Sequence, residues 1–277
     1  MLRAMSSYVF IKKRLHPGLL DAMKRGGAQA VELFAARGHF NYTDKEHIKE
    51  LGAWFKSEGV ELHSMHSPIY MSNDFKSGGA PLNIVDMDKP CRIEAMDEIK
   101  RAVEVAEQMP FRFLVQHIGK TDEYDDPRKF EWAMSGIEHL RAFCRQLGVT
   151  LLVENTPNDL ATPEKLKELL KALHYPDLGV CFDTGHAHMT SSVHQALGVL
   201  EPYIRSTHVH DNKRERDSHL WPGDGTIDWK ETMQALRAAP HMPALLMEIE
   251  GEEGMDVSGK MAAAYKKLEE AALAAAD

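Results

Sequence analysis

The chain has 277 residues, a formal net charge of −9, 43% hydrophobic and 27% charged residues. A chain of this size buries roughly 75% of its unfolded surface and needs no disulfide staple for a core. Its average composition excludes a disordered or low-complexity chain, and no apolar run approaches the ~18 residues of a membrane-spanning helix.

Short apolar, β-branched runs alternate with helical stretches along the whole length, the pattern of βα units. The first strand is expected at Tyr8–Ile11, with a helix over Pro17–Arg25. A second strand, Ala30–Phe34, precedes a helix opened by Thr43, with Glu46 at capping-box spacing. Val60–Met65 reads as the third strand. The long Ile69–Lys89 loop, carrying Gly78, Gly79 and Pro81, reads as a lid or binding loop and leads to a helix near Met87–Gln108. Phe113–His117 and a helix from Pro127 to Leu147 come next, then Val149–Glu154 and a helix capped by Thr162 with Pro163 at its first position. Leu178–Asp183 is followed by a helical stretch interrupted by His and Gly residues. Ile204–Val209 and a helix opened by Asp228 lead to Ala244–Ile249 and a last helix near Met255–Ala275. Eight strand–helix pairs predict an α/β fold, a (β/α)8 TIM barrel, as a single domain over 1–277. No GxGxxG or GxxxxGK[ST] motif supports a nucleotide-binding doubly wound sheet.

Chemistry-bearing residues recur where strands end: His66, His117, Glu154, Asp183, His208 and Glu248. In a barrel these ends converge on one face. Three carboxylates gathered there repel one another unless neutralised, and a divalent cation bound by oxygen and imidazole is the simplest compensator. Each residue alone reads most simply as a loop, cap or packing residue; six on six consecutive strands do not. His186, three residues past Asp183, and Asp217 and His219, in RERDSHLWPGDG, are within reach of the same face. His63, His188 and His210 are weaker candidates, while the other histidines read as surface or packing residues. Cys91, Cys144 and Cys181 are widely spaced with no CxxC and read as free thiols. The opening MLRAMSSYVFIKKR lacks an apolar stretch with a cleavage site, so a cytoplasmic location is expected.

The segments VENTPN, CFDTGHAHM, HVHDNKRERDSHLWPGDGTIDW and LLMEIEG resemble signature segments of the xylose isomerase-like TIM-barrel superfamily. That superfamily includes sugar and sugar phosphate isomerases and epimerases, and also the endonuclease IV family that cleaves DNA at abasic sites. The resemblance to the ketose 3-epimerase branch implies a metal held by Glu154, Asp183, His208 and Glu248, with His186 and Arg214 on the substrate. Tyr70, His210 and Trp221 are further candidates for the substrate pocket. The resemblance to the endonuclease IV branch implies up to three Zn2+, with His66, His117, His186, Asp217 and His219 as added ligands.

Two mechanisms follow. In the preferred one, a sugar or sugar phosphate isomerase or epimerase, Glu154 and Glu248 bracket the substrate and move a proton beside its carbonyl. A single Mn2+, Mg2+ or Co2+ polarises the adjacent oxygens. In the alternative, Glu154 bridges zinc ions that hydrolyse a phosphodiester, and Arg37, Phe40, Tyr42 and Tyr70 wedge or stack nucleic acid. A non-catalytic sugar- or metal-binding barrel is a third reading. Net acidity and short basic clusters (Lys12–Arg14, Lys213–Arg216) favour the sugar enzyme, with a small-molecule partner, no membrane and a possible homo-oligomer.

Overall fold

The computed structural model describes residues 1–71 and 80–274. Eight parallel strands are found among them: β1 (Arg3–Ser6), β2 (Ala30–Phe34), β3 (Glu61–His66), β4 (Phe113–Gln116), β5 (Thr150–Glu154), β6 (Gly179–Asp183), β7 (Ile204–His208) and β8 (Leu245–Met247). They form one sheet in the order β7-β6-β5-β4-β3-β2-β1-β8. The gap between β7 and β8 is bridged by the Val209 N–H to Leu246 O (2.7 Å) and the Glu248 N–H to Val209 O (3.2 Å). The Thr207 hydroxyl adds a bond to Ala244 O at 2.7 Å. The sheet thus curls into the expected (β/α)8 barrel, which places every strand's C-terminal end on one face.

Helices α1 (Pro17–Arg25), α2 (Lys45–Glu58), α3 (Lys89–Val103), α4 (Pro127–Gln146) and α5 (Pro163–Leu173) surround the first five strands. Then come α6 (Thr184–Thr190), α7 (Val193–Leu200), α8 (Trp229–Ala238) and α9 (Val257–Leu273). Local chemistry starts most of them. Thr162 accepts the Lys165 N–H with Pro163 behind it, and Asp228 accepts the Glu231 N–H, as their sequences predict. Seven of these helices bury an apolar face, and Leu20, Leu51, Ile99, Leu140, Leu166, Leu236 and Leu268 join one core.

Four expectations need correction. Tyr8–Ile11 is not the first strand: β1 is Arg3–Ser6, and Ser7–Phe10 is a 3-10 turn begun by Ser6, whose hydroxyl accepts the Tyr8 N–H. The apolar run misleads because Val9, Phe10 and Ile11 are buried against the outer core, whereas the true strand contributes Ala4, which packs with Ala30, Ala244 and Leu246. The cap of α2 is Asp44, which accepts from Glu46 and His47, while the Thr43 hydroxyl donates to Asn41 instead. The stretch after β6 is two helices, broken at Ser191 and restarted by Ser192, which caps the Gln195 N–H. The long helix before β4 is helical only from Lys89 to Val103, with a 3-10 turn beyond. Gly78 and Gly79 of the expected lid lie outside the described residues. The flanks of that loop meet where Tyr70 bridges Pro81 and the Leu82 N–H donates to Ile69 O at 2.8 Å.

The last helix is tied to the first strand by a buried bond from the Tyr265 hydroxyl to Ala4 O, 2.7 Å long. Tyr265→Phe removes the donor of this buried tie between the last helix and the first strand. It should cost about 1 kcal/mol of unfolding free energy; an unchanged urea midpoint would show that the tie contributes nothing.

Candidate metal centre

At the C-terminal face three groups of side chains converge. His66 ends β3, His117 follows β4 and Glu154 ends β5. The His66 and His117 Nε2 atoms lie 3.2 Å apart, and they are 3.6 and 3.2 Å from Glu154 Oε2. In the second group, His208 Nδ1 at the end of β7 is 3.3 Å from Glu154 Oε1, 3.6 Å from Glu248 Oε2 and 4.0 Å from Asp183 Oδ2. In the third, Asp217 Oδ2 lies 3.0 Å from His186 Nε2 and 3.1 Å from His219 Nε2. Donor atoms about 2 Å from a common ion sit about 3–3.5 Å from one another, a spacing that the third group has and the first nearly has, whereas in the second only Glu154 is that close to His208. Glu154 belongs to the first two.

The tautomers point the same way. The Nδ1 atoms of His66, His186 and His219 lie on the backbone carbonyls of Ser67 (2.8 Å), Asn155 (3.0 Å) and Glu248 (3.0 Å). His208 directs Nε2 at the Glu32 carboxylate, 3.1 and 3.2 Å away. A ring nitrogen held by an acceptor carries a proton, so each imidazole turns its other nitrogen toward the cluster, the one that metal-binding histidines use once it is deprotonated. Glu154 Oε1, Glu248 Oε1 and His208 Nδ1 are buried with no hydrogen-bond partner. Buried polar atoms left unpaired are costly; a divalent cation satisfies them, and the mixed oxygen and imidazole donors fit one.

Surrounding residues hold these groups in place. The Asn155 side chain clamps Asp183 by accepting its N–H and donating to its carbonyl, both at 2.9 Å. One Asp183 oxygen caps α6 through the His186 N–H, and the other meets His210 Nε2 at 3.0 Å. His210 therefore orients Asp183. The loop bearing Asp217 and His219 is fastened by the buried Asp211, whose carboxylate accepts from the Gly223 and Ile227 N–H groups and the Trp229 indole. A Cβ at Gly225 would lie 2.2 Å from Asp211 Oδ1, so only glycine permits that approach.

Charge alternation sets the protonation states. Burial pushes the Glu154 carboxyl up, but His208 and His117 outweigh it and hold the group well below the usual range. Asp183 is lowered against burial by His186 and His210, and Asp217 by His186 and His219. Burial pushes the imidazolium forms down, yet Glu248, Glu32 and Glu154 keep His208 well above its ordinary value, as Asp183 and Asp217 do His186. His219, desolvated but beside Asp217, is raised to about 9.

All nine metal-ligand candidates thus meet at one face. Tyr70 lines the adjoining cavity of about 200 Å³ together with Tyr8, Lys120 and Thr121. Arg214 does not: it is exposed, its φ is 71°, and its guanidinium donates to Ser191 O at 2.8 Å, so the substrate role implied for it has no geometric support. Trp221 is buried, outside that cavity lining. His188 bonds Thr226. Arg37, Phe40 and Tyr42 are not a nucleic-acid wedge. Phe40 is in the core, and Arg37 and Tyr42 both bond the buried Glu98. Glu32 was missed by the strand-end pattern, because it sits mid-strand; its signal is a carboxylate inside the otherwise apolar AVELF.

A family model described as "Xylose isomerase-like TIM barrel" matches residues 20–273. The chain belongs to that family. It is similar to an uncharacterized protein of Methanocaldococcus jannaschii, 26% identical over 242 residues that cover 84% of this chain and 78% of the relative. Among solved structures it resembles a D-tagatose 3-epimerase-like protein, with 23% identity, a TM-score of 0.80 and 98% of each chain covered. It also resembles the IolI protein with a bound zinc atom, with 16% identity, a TM-score of 0.75 and 98% of each chain covered. These structural likenesses carry the fold.

Two outcomes are expected. Below pH 9 His219 carries a proton that a cation must displace, so zinc affinity in chelator competition should fall as pH drops from 9 to 6, about tenfold per unit for each proton displaced. A flat profile would remove His219 from the ligands. Glu32→Gln should weaken metal binding about 10- to 100-fold by loosening the His208 tautomer; wild-type affinity in that variant would deny Glu32 the role.

Proposed function

We propose that the protein is a metal-dependent isomerase or epimerase of a sugar or sugar phosphate. The observation that supports this most is the pair Glu154 and Glu248, each with a buried oxygen lacking a hydrogen-bond partner, on either side of His208 at the floor of a small cavity. Glu154, Asp183, His208 and Glu248 would hold the cation, which supplies Lewis acidity toward a carbonyl and its neighbouring hydroxyl. Glu154, kept ionised by His208 and His117, takes the proton from the carbon beside the carbonyl, and Glu248 returns one from the other side. Tyr8 and Tyr70 wall the cavity beside them. Asp183 and His210 stay fixed to one another.

A second reading, hydrolysis of a phosphodiester at a centre of several zinc ions, is favoured by one observation: besides Glu154 and Glu248, further ligand-type groups stand together, His66 and His117 against Glu154 and His186 and His219 against Asp217. Against it stand the burial of Phe40 and Tyr42 and the engagement of Arg37 by Glu98, which leave only Tyr70 of the four expected wedge residues at the cavity.

Metal content of untagged protein, followed by assays on ketoses and on abasic-site DNA, separates the two. About one manganese, magnesium or cobalt per chain with ketose turnover is expected, and Glu154→Gln and Glu248→Gln should each lower that turnover about 10²–10⁴-fold. Two or three zinc ions per chain with DNA cleavage and no ketose turnover would overturn the proposal.

A further inference from the structure

The opposite, N-terminal end of the barrel holds a second cavity, of about 250 Å³, lined by Leu2, His63, Arg112, Arg205, His241 and Met242 with Pro243 and Ala244. Its polar side chains are all basic or imidazole. Two of them are put there by irregularities in the sheet. Between β2 and β3 the pairing runs Val31 with Leu62 and then Glu32 with Ser64, which skips His63. Between β6 and β7 it runs Val180 with Ile204 and then Cys181 with Ser206, which skips Arg205. Bulges are uncommon between parallel strands, and they re-aim the side chain they release. Both released side chains enter this one cavity.

The surroundings accommodate that aim. The Arg205 stem crosses Gly179 so closely that a Cβ there would lie 2.5 Å from its Cγ. Among the described residues, the half-buried Arg205 guanidinium donates to backbone carbonyls alone, Pro202 at 3.1 Å and its neighbour Ile204 at 3.3 Å. Arg112 lies over the Phe113 ring, and its N–H donates to His63 O at 3.1 Å. Neither arginine pairs with a carboxylate among the described residues. The buried His63 faces Glu61 through Nδ1 (3.3 Å) and Ser206 through Nε2 (3.4 Å). His241 is carried by a turn in which Met242 has φ 39°, a left-handed conformation directly before a proline, where it is disfavoured. Burial, with Arg205 adding to it, lowers the His241 imidazolium; burial, with Arg112 adding and Glu61 opposing, lowers that of His63. Positive charge is therefore in excess here, in a protein whose net charge is −9.

We propose that this cavity is an anion site that binds a phosphoryl group, separate from the metal centre at the other end of the barrel. Arg112 and Arg205 supply the charge and forked donors that match a tetrahedral oxyanion, and His63 and His241 border it. The ligand is free phosphate or the phosphoryl end of a small metabolite.

The test is calorimetric titration of the purified protein with inorganic phosphate and, separately, glycerol phosphate, alongside the double variant Arg112→Met/Arg205→Met. The variant should lose affinity about tenfold for each arginine removed, with its metal content unchanged. Tighter binding of the free ion or of the ester identifies the source. Equal affinity in variant and wild type, or no binding to wild type up to about 10 mM, would overturn the proposal. Should the variant fail to fold, histidine-ring NMR of the wild type decides. Phosphate that shifts His63 and His241 supports the site, and phosphate that shifts only His66, His186 or His219 assigns the binding to the metal centre and refutes it.

Discussion

The fold is organised around an alternation of charge. Glu32, Glu154, Asp183, Asp217 and Glu248 lie within ion-pair distance of His66, His117, His186, His208, His210 and His219. Most of these groups are fully buried. Each unpaired buried ion costs several kcal/mol, so five carboxylates could not share this volume without the imidazoles. The same pairing fixes tautomers, because every acid or carbonyl that accepts from one ring nitrogen frees the other. Protons on the histidines neutralise this acidic cluster, and a cation bound there would be an interchangeable way of doing so.

That cluster depends on supports that carry no chemistry themselves. Asn155 grips the backbone of Asp183 on both sides, Asp211 gathers four donors to fold the loop that carries Asp217 and His219, and Glu98 collects Arg37, Arg101 and Tyr42 beneath the loop after β2. Buried acids with several donors have few alternative arrangements. They convert loops, which usually vary in position, into extensions of the strands.

Much of this was legible in the chain because a barrel repeats one rule: each strand delivers its last inward residue to the same place. The βα rhythm located seven of the eight strands to within a residue or two, and the strand-end residues from His66 to Glu248 were visible as a pattern. Legibility failed where tertiary packing overrode local signals. Tyr8–Ile11 is apolar because it caps the barrel, and Arg3–Ser6 looks polar because its partners at the barrel floor are alanines. Glu32 breaks the strand-end rule since it supports His208 from below. The skipped His63 and Arg205 leave no trace in hydrophobic alternation, because a bulge changes pairing without changing composition. Arg214 has the right spacing in sequence, but its left-handed backbone sends the side chain along the surface.

The two enzyme readings share residues but make incompatible demands on Glu154. Its Oε2 faces His66 and His117, while its Oε1 faces His208. A carboxylate that ligates through both oxygens has little basicity left for a carbon acid, whereas one that ligates through a single oxygen keeps the other for the proton. On the isomerase reading, Glu154 would act as a base only with Oε2 left free of a second ion at His66 and His117. The affinity of the first and third groups for further ions, set by imidazoles that must first give up protons, is the physical quantity on which the choice between the two readings turns.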